Sequence, residues 1–413
     1  MIRFPIDWVR ARFPALAEGE VLMDNAGGAQ VPQDVIDRIV DYLATSNVQL
    51  GATYKRSARA GAAVAEARQV LATLVNAFDP NELIIGSSST ELLSRLARAM
   101  QGQLQPGDEV IVSEIDHESN IGPWMRLSEQ GVLVKLWRAR TGPARLELSD
   151  LDALLGPRTR LVAVTQCSNI LGSELPISDI AARVHAVGAK LCVDGVGWAA
   201  HRLPDVQAMG ADFYVMSLYK VFGPHIGMMW GKKENLLPLS NLNHFFFAQD
   251  AIPYKLQPGG INYELTAGSA GIVAYLEMLG SQVDPSAREG RDRLKAAFEA
   301  IAAHEEALTR RLIAFLQGRK GVTIIGRGEV DATRLPIVSF TVESVKASAI
   351  PPHLDKLGIG IRWGDFYARR LIDALGLGPM DGVVRVSLAH YNTMDEVERL
   401  IGGLEIALDT TAT

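Results

Sequence analysis

Cysteine is nearly absent from this chain: Cys167 and Cys192 are the only two among 413 residues. Two thiols are too few for a disulfide framework and point to reduced cysteines in a cytoplasmic protein. Long apolar runs are missing as well. No stretch approaches the ~18 consecutive apolar residues of a membrane span. The N-terminal MIRFPIDWVRARF has neither an apolar h-region nor a small-residue cleavage site. Basic clusters are missing, and the formal net charge of −6 argues against a nucleic-acid partner. Internal repeats and low-complexity segments are absent too, and no metal is expected. What remains is an ordinary globular composition, 48% hydrophobic and 21% charged. At this length two domains are expected.

The stretch that carries chemistry is 190–224, KLCVDGVGWAAHRLPDVQAMGADFYVMSLYKVFGP. A short apolar strand at 191–193 ends in Asp194. A second, at 212–216, runs into Ser217-Leu218-Tyr219-Lys220. Open α/β sheets bind ligands outside the carboxyl ends of their strands. A carboxylate and an amine delivered there suit pyridoxal phosphate, whose aldehyde needs a lysine amine and whose ring nitrogen needs a carboxylate. Met216, Leu218, Val221 and Phe222 surround Lys220 in sequence; they would desolvate the amine and make it a better nucleophile. The alternative is a surface lysine and a helix-capping aspartate.

Residues 6–13 read as a short amphipathic helix, an arm over 1–14. A strand at 21–23 leads into Asp24-Asn25-Ala26-Gly27-Gly28, where the glycines allow either a plain turn or close approach to a ligand. Helices are expected at 34–45, 57–77, 92–100, 177–187 and 265–279, and strands at 82–85, 109–113, 132–136, 161–165 and 226–231. Alternation of strand and helix predicts a mostly parallel sheet. Ser88-Ser89-Thr90-Glu91, after a strand and before a helix, is either an ordinary N-cap or an anion site made of hydroxyls and free backbone N–H groups. Cys167 reads as a small buried residue rather than a nucleophile. A long helix at 287–317 leads into strands at 323–325, 337–341, 360–362 and 383–388 and a last helix at 394–407, an α+β unit. The pleat of 383–388 puts Val384, Val386 and Leu388 on one face. Arg385 is then on the polar side of a half-buried strand, suited either to bidentate capture of a carboxylate or to a surface ion pair.

VDGVGWAAH followed by DFYVMSLYKVFGPHIGMMWG resembles the cofactor segment of the class V aminotransferase family, closest to its cysteine desulfurase and selenocysteine lyase branch. MDNAGGAQVP, DHESNIGPW, TQCSNILGSELPI and RVSLAHYNTMDEVERLIGGL extend the likeness over nearly the whole chain. The resemblance implies the α/β fold of type I pyridoxal-phosphate enzymes. A large cofactor domain over 15–285 would hold a mostly parallel seven-stranded sheet, and a small α+β domain would cover 286–413. It implies Lys220 as the cofactor lysine, Asp194 at the ring nitrogen and His117 stacked on the ring. Ser89, Thr90, Ser217 and Tyr219 would lie around the phosphate, and Asn169 near the phenolic oxygen. Arg385, with Gly27, Gly28 and Asn169, would receive the substrate carboxylate. A homodimer is implied, with Gly260, Asn262 and Tyr263 reaching the neighbouring subunit's site.

The chain departs from that family in four places, one of them Gly260, where a phosphate-binding threonine from the other subunit is common. Desulfurases of this branch carry a nucleophilic cysteine on a loop resembling Arg-x-Gly-x-x-Cys-Ala. Here Arg362-Trp363-Gly364-Asp365-Phe366-Tyr367-Ala368 puts Tyr367 at the cysteine position, and a phenol cannot accept sulfur. The family's Asp-x-x-Gln becomes Asp194-Gly195-Val196-Gly197, leaving Gln166 or Asn169 to supply the lost hydrogen bond. Tyr219 replaces a phosphate-binding histidine. The expectation is an enzyme of α-amino acids that eliminates a β-substituent at sulfur or selenium without a loop persulfide, with Tyr367 either a proton donor or only a wall of the pocket. Amino transfer or epimerisation are the other outcomes of the same chemistry, and Arg362 is the one nearby candidate for a second carboxylate-binding arginine.

Overall fold

Strands buried on both faces carry near-continuous apolar runs, and this chain supplies seven that meet in one sheet. The computed structural model describes residues 4–142 and 144–411; of the expected arm and C-terminal domain, residues 1–3 and 412–413 lie outside that range. After a short strand β1 (Val21–Leu22) come β2 (Leu83–Gly86), β3 (Glu109–Ser113), β4 (Leu133–Trp137), β5 (Thr159–Thr165), β6 (Lys190–Asp194), β7 (Phe213–Ser217) and β8 (Gly227–Gly231). Their order across the sheet is β2-β8-β7-β6-β5-β3-β4. Only β8 runs against its neighbours. The α/β class and the mostly parallel seven-stranded sheet are therefore as expected.

Alternation within each strand divides the core. Ile111, Val162, Val193, Tyr214 and Met216 point to one side, under the helices Gln33–Thr45, Tyr263–Val283 and Arg291–Gln317. Val110, Ala163, Cys192, Phe213 and Val215 point to the other, under Ser89–Met100. At ~25 cal/mol per Å² of apolar surface, burial on both faces fixes the register of every central strand. The carboxyl ends of β2, β3, β5, β6 and β7 therefore open on one rim.

The C-terminal part adds β9 (Val322–Ile325), β10 (Ile337–Val342), β11 (Ile359–Gly360), β12 (Arg362–Gly364) and β13 (Val383–Ser387). Four of them form an antiparallel sheet in the order β12-β13-β10-β9. The segment expected as one strand at 360–362 is two strands in different sheets. β11 pairs with β1, and β12 pairs with β13. Ile361 is the hinge between them, 4% exposed, so its burial anchors the point where the chain changes sheet. The N-terminal helix is Ile6–Arg10, shorter than expected, and it is packed down rather than free. Val9 and Phe13 are buried, and Arg10 donates to the Tyr391 carbonyl and to Glu396, each at 2.8 Å. No helix among the described residues is long and apolar enough to cross a membrane.

Candidate active site

Lys220 and Asp194 meet where the topology sends them, at the ends of β7 and β6. One cavity at that rim is bordered by both, and by His117, Asn169, Ser89 and Tyr219; Thr90 and Ser217 are also part of its wall. Eight residues singled out from the sequence thus come together on one surface.

Burial sets the electrostatics. Asp194, 3% exposed, accepts from the Val196 N–H at 2.8 Å. Burial raises its carboxyl to about 6, against the pull of that N–H and of Lys220. Lys220 is lowered to about 8, first by burial and then by the charge of Arg385; Asp194 and Asp24 oppose the fall. Val221 and Phe222, both fully buried, supply the apolar surroundings expected. The His117 ring is pushed down to about 4 by burial and by the positive charges of Lys220 and Arg385, so it is neutral at physiological pH. Its Nδ1 accepts from the Ser119 N–H at 3.1 Å, which leaves the ring proton on Nε2.

The helix Ser89–Met100 begins on this cavity. Ser88 caps it by accepting from the Glu91 N–H at 3.2 Å, the ordinary N-cap reading of this motif. The Ser89 and Ser217 hydroxyls are 2.8 Å apart and join the helix start to the end of β7. Tyr219 lies flat on His225, ring centroids 4.7 Å apart; the sequence reading missed that histidine. Asn169 donates to the Phe366 carbonyl at 2.8 Å, and its Oδ1 is buried with no partner among the described residues. Gln166 lies outside the cavity wall. A side chain at Gly197 would meet the Cys167 carbonyl at 2.7 Å, which is why a glutamine is not accommodated there.

Arg385 is not on the polar side of a half-buried strand. Every residue of β13 is buried. The face expected to be open is covered by Phe366 and by the loop after β1, both distant in sequence. Arg385 is 2% exposed and lies behind Asn169 rather than in the cavity wall. It donates to Asp24 Oδ1 at 2.8 Å and to the Asn169 carbonyl at 3.3 Å, and its guanidinium rests 3.8 Å from the centre of the Phe366 ring. Gly27 stands against Asp24, where an added Cβ would fall 2.8 Å from Oδ2; Gly28 faces the Tyr219 ring. Tyr367 is at the mouth, 70% exposed, with its ring 5.2 Å from that of His117. Both Phe366 and Tyr367 have positive φ, 50° and 60°, an unusual conformation for bulky residues. The Tyr367 carbonyl holds it by accepting from the Glu118 N–H at 2.7 Å. Gly260 and Asn262 line a separate cleft with Arg95, and Tyr263 begins the helix capped by Asn262; none of the three borders this chain's own cavity.

Three further residues belong to the site. Asp24 joins Arg385 to Arg362. Asp116 is fully buried and accepts from the Thr165 N–H at 3.0 Å and from Asn120 at 2.6 Å, pinning the His117 loop to β5. His201 borders the cavity and turns Nδ1 to both Glu305 oxygens, at 3.0 and 3.1 Å. A carboxylate at the end of a strand was a usable signal for Asp24; the partner of His201 lies 104 positions away and gave none.

The donor set fits pyridoxal phosphate. Lys220 would hold the aldehyde carbon, Asp194 the ring nitrogen and His117 the ring face. Ser89, Thr90, Ser217 and the helix N–H groups would hold the phosphate. The unpartnered Asn169 Oδ1 marks a place built for a polar ligand.

The model of the family described as aminotransferase class-V matches residues 21–400. The chain is 42% identical over 415 residues to the aminotransferase-like protein FGM3 of Gibberella zeae, covering 98% of this chain and 99% of that one. It is 34% identical over 411 residues to a cysteine desulfurase of Dickeya dadantii, covering 97% and 96%. In structure it is similar to the cysteine desulfurase CsdA of Escherichia coli, with a TM-score of 0.84 at 27% identity over 99% of this chain and 100% of the other.

Proposed function

The chain belongs to the class V aminotransferase family, with cysteine desulfurase-like relatives, and from that premise we propose a pyridoxal-phosphate-dependent enzyme that eliminates a β-substituent from an α-amino acid, breaking a C–S or C–Se bond without a protein persulfide. The observation that carries this reading is the loop after β12. Where relatives of the desulfurase branch are expected to hold a thiol, this loop presents the Tyr367 phenol at the mouth of the cavity. Neither cysteine is on that loop, although Cys167 borders the same cavity. Cys192 lies in the core of β6, and Cys167 is 1% exposed with its thiol pushed up to about 12 by burial.

Bound pyridoxal phosphate would supply a sink for the electrons left at Cα. The remaining work falls to side chains. Arg385, buried behind Asn169 and already held by Asp24, would orient the substrate only where its carboxylate reaches past Asn169 from the cavity. Lys220 Nζ, neutral above about pH 8, takes the proton from Cα. Asp194, an anion above about pH 6, holds the ring nitrogen protonated. His117, neutral and fixed by Ser119, covers the ring face without adding charge. The Tyr367 hydroxyl donates a proton to the departing sulfur.

Tyr367→Phe is expected to lower kcat by roughly 10²-fold with KM little changed, the loss of one general acid. Steady-state kinetics on a β-thio amino acid checks this, and unchanged kcat would leave Tyr367 as a wall of the mouth only. The reading itself is tested with L-cysteine. Cysteine and water should become pyruvate, ammonia and sulfide, with no sulfur trapped on Cys167 or Cys192 by an alkylating probe. Alanine formed in step with a labelled cysteine would overturn it. Amino transfer is the second reading, favoured by the name of the Gibberella zeae relative. It would appear as nitrogen delivered to an added keto acid in place of ammonia release.

A further inference from the structure

The two arginines near the cavity already share a carboxylate. Asp24 Oδ1 is 2.8 Å from Arg385 and its Oδ2 is 3.5 Å from Arg362. Both guanidinium groups flank the Phe366 ring, at 3.8 and 5.8 Å from its centre. Asp24 is held in this place by its neighbours. Asn25 donates to the Ser387 carbonyl at 2.9 Å, and the Ala26 N–H reaches the Ser387 hydroxyl at 2.9 Å, so the loop after β1 is pinned to the end of β13. Gly27 leaves room for the carboxylate, since any side chain there would press on Oδ2. Yet the cluster is not saturated. Arg385 Nε is buried with no partner among the described residues. Two guanidinium groups and one carboxylate leave a single net positive charge.

We propose that Asp24 is a resident anion that fills the second carboxylate place of this pair of arginines, so that the site selects amino acids whose one anionic group is the α-carboxylate and rejects acidic side chains. This deepens the proposed function and rests on it. An incoming α-carboxylate that reaches past Asn169 to the unpartnered Arg385 Nε balances the remaining charge. A second carboxylate on the same molecule meets a balanced cluster and the negative Asp24 itself, and like charges brought together are disfavoured. Arg362, with a side chain 59% exposed, is the group that a dicarboxylate would otherwise use.

The test is an equilibrium titration of cofactor-loaded protein with L-alanine and L-aspartate, followed by the visible absorbance of the bound cofactor. The wild type should prefer alanine. Asp24→Asn, with two arginines and no carboxylate, should shift the aspartate-to-alanine affinity ratio upward by about 10- to 100-fold. Adding Arg362→Gln to Asp24→Asn restores one net positive charge and should return the ratio to near the wild-type value. Arg362→Gln alone, which alters an exposed side chain, should weaken alanine binding. A ratio that stays within twofold in Asp24→Asn, or a double variant that keeps the raised ratio, would overturn the role given to Asp24. Protein that takes up no cofactor at all would instead defeat the underlying enzyme reading, before any ratio is measured.

Discussion

Lys220→Ala should lower turnover of an α-amino acid by ~10²- to 10⁴-fold, the range for loss of a positioned proton-transfer group. The fold should survive, because the amine has no salt-bridge partner among the described residues and Val221 and Phe222 keep their packing. Far-ultraviolet dichroism and melting would check that. Added methylamine should recover part of the activity if the missing group is the base. The same amine sets a pH dependence. Its pKa is lowered to about 8, mainly by burial and then by Arg385. The neutral, nucleophilic form therefore increases as pH rises through about 8. Attachment of pyridoxal phosphate to stripped wild-type protein should quicken between pH 7 and 9 and level off above. A rate flat across that interval would contradict the shift.

Arg385→Lys should weaken amino-acid binding by roughly 10- to 100-fold, since hydrogen bonds to charged groups contribute ~1.5–3 kcal/mol. A lysine keeps the charge but not the fork. It also loses the flat contact with Phe366, now 3.8 Å from the guanidinium. The effect should fall on KM or on titrated affinity more than on kcat. Unchanged affinity would mean that the carboxylate is held elsewhere. Arg385→Ala is a poorer test, because it strands Asp24 without its buried partner and destabilises the protein as well.

The large sheet was legible because its strands are buried on both faces and so appear as apolar runs. Asp194 was legible because it closes such a run, and Lys220 because it lies three residues beyond the end of the next, β7. The environment of Arg385 was not. Period-two alternation in β13 marks a polar side, but what covers that side comes from Phe366 and Asp24, the latter 361 positions away. A pattern within one strand has no access to a lid supplied from afar. The change of sheet at Ile361 was hidden for the same reason, since β11 is chosen by β1. The left-handed backbone of Phe366 and Tyr367 left no trace in residue type, because glycine is the usual signal and neither is glycine. Asp24 was read only as part of a glycine-containing loop; its ion pairs depend on contacts made in the folded chain.

Borohydride reduction of protein loaded with pyridoxal phosphate, followed by peptide mapping, tests the central claim most directly. The account predicts one reduced cofactor per chain, covalently fixed to the Lys220 side chain. A label on any other lysine, or cofactor-loaded protein that yields no label, would contradict it.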